Sequence, residues 1–263
     1  LPAEPQPVSA LLTTHRLAVG IGRTPVCSAL DLAIAPGTCW GILGRSGVGK
    51  TTLLHTLAGL RDPDAGEIRW RGRELGRLPR RELARGLGVV LQHDDYRFPL
   101  SVRETALAGR HPHLGRWQAE RAEDLDAVDA ALKAVGLAGL EERFADSLSG
   151  GERRRLALAT LLAQDPLLAL LDEPVNHLDP GQQLAVIDLV RRRFGAGDRA
   201  LVVVLHDVNL ALRCCTHLLL LAGDGAVHAG EAATLATPAT LSALYGHPMA
   251  PVSVDGRPGF LPR

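Results

Sequence analysis

Apolar side chains along the chain fall into short runs that glycine and proline separate. Between residues 11 and 43, the runs LLTTHRLAV, ALDLAIAPG and CWGILG predict antiparallel strands that lead into a buried strand. Three later runs, GVVLQ, LLALLD and ALVVVLHD, predict further buried strands, and LLLLAGDGAVHAG predicts a last strand pair. Most of these runs are apolar throughout, which is typical of strands covered on both faces.

Helical spacing alternates with these strands. Helices are predicted from about Gly49 to Leu60, from Gly150 to Ala163, from about Pro180 to Phe194 and from Val208 to Cys215. Residues from about 102 to 144 lack strand signals, and the run DLDAVDAALKAVGL repeats apolar positions every three or four residues. This segment predicts a helical insertion of some forty residues.

The alternation of strands and helices predicts an α/β fold with a mostly parallel central sheet, an antiparallel edge subdomain and a helical insertion. We expect one domain over residues 11–250, with its helical part at about 100–160. The proline-rich residues 1–10 predict a flexible lead-in, and residues 251–263 are expected to form a C-terminal tail.

Composition narrows the classes of protein. The 263 residues are 46% hydrophobic and carry 29 basic and 29 acidic side chains, so no overall field favours nucleic acid or anionic lipid. No apolar run reaches the roughly 18 to 20 residues that span a bilayer, and no export signal is recognisable, so the cytoplasm is expected. The four cysteines form no CxxC pair and are expected to be free thiols.

The sequence GRSGVGKT at residues 44–51 fits the phosphate-binding P-loop pattern between a predicted strand and helix. Glycines let backbone N–H groups turn towards phosphate oxygens, and the helix start adds its positive dipole end. Lys50 is expected to reach the β- and γ-phosphates, and the Thr51 hydroxyl to ligate Mg²⁺. The other interpretation is a glycine-rich turn with an exposed lysine. The predicted nucleotide contacts here are Gly44, Arg45, Ser46, Gly47, Val48, Gly49, Lys50, Thr51 and Thr52.

Two acids, Asp172 and Glu173, follow the apolar run LLALL. Asp172 is suited to hold Mg²⁺, and Glu173 to act as general base on an attacking water. Paired acids at a strand end are often only solvated loop residues, but a P-loop in the same chain favours the catalytic interpretation.

The sequence LSGGE at residues 148–152 has two compatible interpretations. Ser149 followed by Glu152 predicts a capping box that opens a helix. A capped helix start with two glycines also exposes N–H groups that can bind an anion.

A P-loop, then LSGGE, then LLALLDEP resembles the ATP-binding cassette (ABC) family, and the resemblance runs from about Leu11 to Tyr245. It implies ATP as the nucleotide and Mg²⁺ as the metal ion. Gln92 matches the family's Q-loop glutamine, which contacts Mg²⁺ and water. Residues 176–179, NHLD, resemble the D-loop with Asp179, and His206 resembles the switch histidine that contacts the γ-phosphate.

The resemblance also implies partners. Ser149 and Gly151 would bind the γ-phosphate of ATP held by an opposite cassette, so a head-to-tail homodimer is expected. Relatives commonly carry an aromatic ring that stacks on adenine at the position of Ile21. The loss of this ring would weaken nucleotide binding by roughly 1 to 3 kcal/mol. We nevertheless assign the adenine contact to Ile21.

The segments FPLSVRE, from Phe98, and AGRHPH, from Ala108, resemble cassettes of importers for iron-siderophores, haem and vitamin B12. Vitamin B12 is the favoured cargo, on weak similarities at Asn176, Gln182-Gln183 and Tyr245. Such a subunit would sit on the cytoplasmic face of the inner membrane with permease subunits, and indirectly with a periplasmic substrate-binding protein.

The alternative class is a soluble ABC ATPase of DNA repair or translation. Repair relatives insert a long coiled coil between the P-loop and LSGGE, whereas only 99 positions separate Lys50 from Ser149 here, without heptads. Translation relatives usually carry two cassettes in one chain. The zero net charge also disfavours a nucleic-acid partner.

Overall fold

A computed structural model describes residues 10–92, 99–115, 118–176, 178–254 and 257–263. The strands are β1 Leu12–Ile21, β2 Thr24–Ile34, β3 Cys39–Gly44, β4 Ala65–Trp70, β5 Arg73–Glu74, β6 Leu87–Val90, β7 Leu168–Asp172, β8 Ala200–Val204, β9 His217–Leu221, β10 Val227–Glu231, β11 Met249–Val254 and β12 Arg257–Pro262. The α-helices are α1 Lys50–Leu57, α2 Arg80–Gly86, α3 Val102–Leu107, α4 Ala122–Ala134, α5 Gly150–Gln164, α6 Pro180–Phe194, α7 Val208–Cys214, α8 Ala232–Leu235 and α9 Pro238–Tyr245.

The central sheet has the order β10-β9-β3-β8-β7-β6. All neighbours from β9 to β6 pair in parallel, and β10 pairs antiparallel to β9 at the edge. Parallel strands place their carboxyl ends along one edge of the sheet. The P-loop after β3, the acid pair at the end of β7 and His206 after β8 therefore meet at that edge.

Both faces of the central sheet are buried, because successive side chains point to opposite faces. In β8, Leu201 and Val203 pack into one apolar cluster with α5, α6 and α7, whereas Val202 and Val204 pack into a second cluster with α1 and the edge sheet. Burial on both faces explains the uninterrupted apolar runs and confirms the predicted α/β class with a mostly parallel sheet.

The antiparallel edge sheet has the order β2-β1-β4-β5 and covers α1. Gly22 in the turn between β1 and β2 has a positive φ of 60°. The turn places Ile21, the last residue of β1, next to the P-loop cavity.

The helical insertion is built from α3, α4 and α5, which pack against one another. A buried ion pair joins two of its parts: Arg110 Nε donates to Asp124 Oδ1 at 2.8 Å, and Arg110 Nη1 donates to the Ala163 carbonyl at 2.8 Å. The second half of α5 continues against the central sheet, so this helix connects the insertion to the strand ends.

Most predicted element bounds are confirmed within a few residues, including α5 and α6. The helix α1 is shorter than predicted and ends at Leu57, because Gly59 turns into the left-handed region at φ 67°. Within the described ranges, no helix has the length and apolar character needed to cross a bilayer. The predicted lead-in, apart from residue 10, lies outside the described residues.

The C-terminal residues differ from the predicted tail. Strands β11 and β12 pair as an antiparallel hairpin, and its Met249 and Phe260 are buried with the α7 side of the core. Asn209 in α7 fixes β12, since its Nδ2 donates to the Phe260 carbonyl at 3.1 Å and its Oδ1 accepts from the Phe260 amide at 2.8 Å. The predicted boundary at residue 250 therefore falls inside β11.

Candidate nucleotide site

The P-loop joins the end of β3 to the start of α1 and carries two glycines with positive φ, Gly47 at 77° and Gly49 at 101°. A Cβ at Gly49 would lie 2.3 Å from Cγ2 of Val26, so no larger residue fits there. This backbone exposes the first amides of α1 at the loop, where they suit an anion.

Lys50 lies buried across the loop, and its Nζ donates to the carbonyls of Gly44 at 3.0 Å and Arg45 at 3.1 Å. Burial lowers the pKa of Lys50, while the negative charges of Glu173 and Asp172 oppose that shift. Its ammonium group is thus fixed beside the loop amides, ready to pair with a phosphate.

A cavity of about 400 Å³ opens above the loop and collects residues from distant parts of the chain. Its volume is in the range of small-molecule sites. The lining residues are Ile21, Ser46, Gly47, Gly49, Lys50, Thr51, Thr52, Gln92, Glu173 and His206. Predicted phosphate, base, switch and adenine contacts therefore share one cavity with two of the three predicted metal ligands, Thr51 and Gln92, while Asp172 is not part of the lining.

Glu173 is buried and is held by three side chains. Its Oε2 accepts from Gln92 Nε2 at 2.8 Å and from Asn176 Nδ2, and its Oε1 lies 2.5 Å from Nε2 of His206. The backbone of Glu173 is in the left-handed region at φ 49°, a conformation that costs energy for a non-glycine residue and clusters at functional sites. The carboxylate is thereby oriented before any substrate arrives.

The carboxylate of Asp172, the neighbouring acid, has no such side-chain contacts with the residues that the structure describes. It is fully buried, and neither carboxylate oxygen has a hydrogen-bond partner within the described part of the chain. Burial raises the pKa of Asp172, and the nearby Thr51 hydroxyl opposes the shift. A buried carboxylate without a partner next to a hydroxyl is a donor set that fits Mg²⁺.

Arg154 in α5 is a positioning residue that the sequence analysis missed. Its Nη2 donates to the carbonyls of Glu173, at 2.6 Å, and Asp172, and its Nη1 donates to the carbonyl of Leu91. One guanidinium therefore holds the end of β7 and the residue before Gln92. The sequence feature that points to Arg154 is the run of arginines that follows LSGGE. Such a run of charges usually forms a solvated helix face, so it did not indicate a buried role.

Other predicted contacts lie outside the cavity lining. Among the described residues, Gly44, Arg45 and Val48 build the loop, while three predicted contacts are at helix starts, namely Ser149, Gly151 and Asp179.

The capping box in LSGGE is confirmed, since Ser149 Oγ accepts from the Glu152 amide at 3.3 Å and Glu152 Oε2 accepts from the Ser149 amide at 2.8 Å. Asp179 Oδ1 likewise accepts from the Gln182 amide at 2.9 Å. Phe98 and His177, named in the predicted motifs, lie outside the described residues.

The fold and cavity define a P-loop nucleotide hydrolase with an acid pair on the strand next to β8. The family profile described as ABC transporter matches residues 27–176, more than half of the chain. The chain belongs to this family and is an ATPase. The resemblance stated from the P-loop, LSGGE and LLALLDEP is thereby confirmed.

Several curated proteins are similar over most of this chain. The hemin import ATP-binding protein HmuV of Pseudomonas entomophila is 40% identical over 90% of this chain and 92% of its own length. A probable siderophore transport system ATP-binding protein, YusV of Bacillus subtilis, is 38% identical over 79% of this chain and 76% of its own length. The cobalamin import ATP-binding protein BtuD of Halobacterium salinarum is 36% identical over 87% of this chain and 57% of its own.

Among solved structures, a chain of a metal-chelate type ABC transporter in an inward-facing conformation superposes with a TM-score of 0.81. It is 26% identical in sequence, and the match covers 97% of this chain and 98% of that chain. The similarity therefore extends over almost the whole length of both chains.

Proposed function

We propose that this chain is the ATP-hydrolysing subunit of an ABC importer for a metal chelate or corrinoid. Vitamin B12 is the first cargo to test, followed by haem and a ferric siderophore. The observation that carries the hydrolytic role is the cavity in which the P-loop faces a pre-oriented Glu173. The import role is supported by the names of the similar proteins, which cover siderophore, hemin and cobalamin systems.

The P-loop residues would hold the ATP phosphates. Amides of the loop and of the first turn of α1 would donate to the phosphate oxygens, and Lys50 would exchange its two loop carbonyls for the β- and γ-phosphates. Ile21, with 48% of its surface exposed, supplies an aliphatic face for adenine.

Thr51, Asp172 and Gln92 would hold Mg²⁺. The buried, unpartnered carboxylate of Asp172 supports this assignment. When bound, the ion neutralises negative charge on the phosphates during transfer.

Glu173 is the general base of the proposed reaction. Its Oε1 and Oε2 are held by His206 on one side and by Gln92 and Asn176 on the other. These three contacts use three of the roughly four acceptor sites of a carboxylate, so Oε1 keeps one lone pair for the attacking water. His206 and Gln92 would leave Glu173 when they contact the γ-phosphate and the metal ion. The resting network therefore keeps the base oriented before ATP arrives.

A second copy of the chain would complete each site. Ser149 and Gly151 lie at the start of α5 and not in this chain's own cavity, which leaves them available to a neighbouring chain. Head-to-tail pairing about a twofold axis would place each LSGGE over the partner's P-loop.

The permease surface is proposed at the helical insertion. Leu100 and Phe144 are exposed at 42% and 55%, and they lie on adjacent backbones because the Ala145 amide donates to the Leu100 carbonyl at 2.9 Å. Two adjacent exposed apolar side chains are suited to a protein contact, and this supports the proposed docking position. Docking there would hold the subunit on the cytoplasmic face of the inner membrane, where the permease also meets a periplasmic substrate-binding protein.

The deciding experiment is reconstitution with the permease encoded beside this chain in lipid vesicles, with uptake of radiolabelled vitamin B12, haem and a ferric siderophore measured in parallel. We expect ATP-dependent accumulation of one cargo, lost in Glu173→Gln. ATPase activity without uptake of any cargo would overturn the importer proposal. Phe144→Asp is the matched docking variant, and it should abolish uptake while basal ATPase activity remains.

A further inference from the structure

Three of the four cysteines converge in the core at the end of the sheet opposite the P-loop. Cys39 begins β3, Cys214 ends α7, and Cys215 is the residue that follows this helix. Their sulfur atoms all lie within 4.8 Å of one another, with Sγ of Cys215 at 3.8 Å from Cys39 and 3.3 Å from Cys214. All three side chains are buried.

The spacing of the sulfur atoms suits a single ion between them. With metal–sulfur bonds of about 2.3 Å, three sulfurs around one ion in a plane stand about 4.0 Å apart. Two of the separations, 3.8 and 3.3 Å, are somewhat shorter than that value, and the third is at most 4.8 Å, so small side-chain shifts would seat the ion. Gly41 leaves the room for this arrangement, because a Cβ there would come within 3.0 Å of Cys215 Sγ.

The composition of the cluster selects the kind of ion. Within the described residues, no histidine or carboxylate joins the three thiols, and their burial keeps water from supplying a fourth ligand. Zinc sites are almost always four-coordinate, whereas soft thiolate ligands favour Cu(I). A three-thiol set in an apolar pocket therefore fits Cu(I) better than Zn²⁺.

Hydrogen bonds within the cluster divide the three thiols. Those from Cys215 and Cys39 hold the pKa of Cys214 below that of an ordinary cysteine, whereas the hydrogen bond with Cys214 raises the pKa of both Cys39 and Cys215. An ion that binds must therefore displace the protons of Cys39 and Cys215. Cys27, the fourth cysteine, is also buried, and burial raises its pKa to about 11, but it lies outside the cluster and is the matched control.

We propose that Cys39, Cys214 and Cys215 form a binding site for one Cu(I) ion. Binding forms three copper–sulfur bonds and releases the thiol protons to solvent without a change of oxidation state. The bound ion would tie the start of β3 to the end of α7, and it would do so independently of the nucleotide and of any transported cargo.

The test is a Cu(I) titration of the reduced full-length chain under anaerobic conditions, with bathocuproine disulfonate as competitor and overnight equilibration for the buried site. We expect one Cu(I) per chain, an affinity weakened more than about tenfold in Cys39→Ala and Cys215→Ala, and no change in Cys27→Ala. Equal copper retention by wild type and Cys39→Ala would overturn the site.

A second measurement uses only the wild-type chain, so it decides the question even if the alanine variants fold poorly. In mild denaturant, Cu(I) should slow alkylation of Cys39, Cys214 and Cys215 but not of Cys27, as read by peptide mass spectrometry. X-ray absorption should show three sulfur ligands around copper. Unchanged alkylation rates at all four cysteines would exclude the site.

Discussion

The two ends of the central sheet are built on the same strands but in opposite ways. At the carboxyl end, the ionisable side chains of Lys50, Asp172 and Glu173 are buried, and those of Lys50 and Glu173 are hydrogen-bonded to polar groups. At the amino end, where β3 begins at Cys39, the buried groups are soft thiols among apolar side chains. At the carboxyl edge, α1 and α7 begin shortly after β3 and β8 end, so backbone dipoles can support charge there.

A second contrast separates the two acids of that edge. The Glu173 carboxylate is held by three side chains, whereas neither carboxylate oxygen of Asp172 has a hydrogen-bond partner within the described residues. One carboxylate is oriented by side chains of the protein, and the other is left for a ligand. This difference agrees with the separate tasks that we propose for the adjacent acids of LLDEP, proton transfer for Glu173 and metal binding for Asp172.

The largest expected effect follows from replacing the oriented acid. Glu173→Gln removes the proton acceptor while keeping the shape of the side chain, so ATP hydrolysis should fall about 10²- to 10⁴-fold. Nucleotide binding should change little, because the P-loop is untouched. Phosphate release at saturating MgATP and binding of a fluorescent ATP analogue measure the two effects.

Glu231→Gln, at an exposed position at the end of β10, is the matched control and should keep wild-type hydrolysis. A loss smaller than tenfold in Glu173→Gln would remove this residue from the role of general base.

Arg154→Met should give the next largest effect. It keeps the bulk of the side chain but leaves the carbonyls of Leu91, Asp172 and Glu173 without this donor. Displacement of the acid pair should lower kcat about 10- to 100-fold with little change in KM for ATP. Steady-state kinetics measures the changes in kcat and KM, and the exposed Arg192→Met is the control. A change in KM alone would show that Arg154 does not position the base.

A smaller effect is expected at the adenine contact. Ile21→Tyr would restore an aromatic ring at the exposed edge of the cavity, and stacking should tighten ATP binding by about tenfold. Calorimetry with ATP and with tripolyphosphate separates the contribution of the adenine contact from that of the phosphate contacts. Equal tightening for tripolyphosphate would contradict stacking as the cause.

Local spacing in the sequence predicted which residues the structure brings together in the cavity. The P-loop, LSGGE and the acid pair each occupy a few consecutive residues, and the cavity joins P-loop, Q-loop, acid-pair and switch residues as the α/β fold requires. Arg154 was missed because its partners are backbone carbonyls 18 to 63 positions away. The thiol cluster was missed because it pairs Cys39 with Cys215 across 176 positions.

The C-terminal hairpin was missed for a different reason. Pro251, Pro258 and Pro262 weaken the strand pattern on both sides of Asp255-Gly256, although that dipeptide is a common hairpin signal. The packing of Phe260 against the core stabilises the hairpin, and no local pattern reports such packing.

The smallest effect on activity is expected at the thiol end. Cys39→Ala removes one buried sulfur about five residues of strand from the P-loop, so the free energy of unfolding should fall by about 1 kcal/mol while ATP hydrolysis stays within about twofold. Urea unfolding and phosphate release measure these two quantities, with Cys27→Ala as control. A large loss of hydrolysis with the fold intact would show that the two ends of β3 are coupled. The thiol cluster and the nucleotide site would then be parts of one functional unit, and the contrast between them would be wrong.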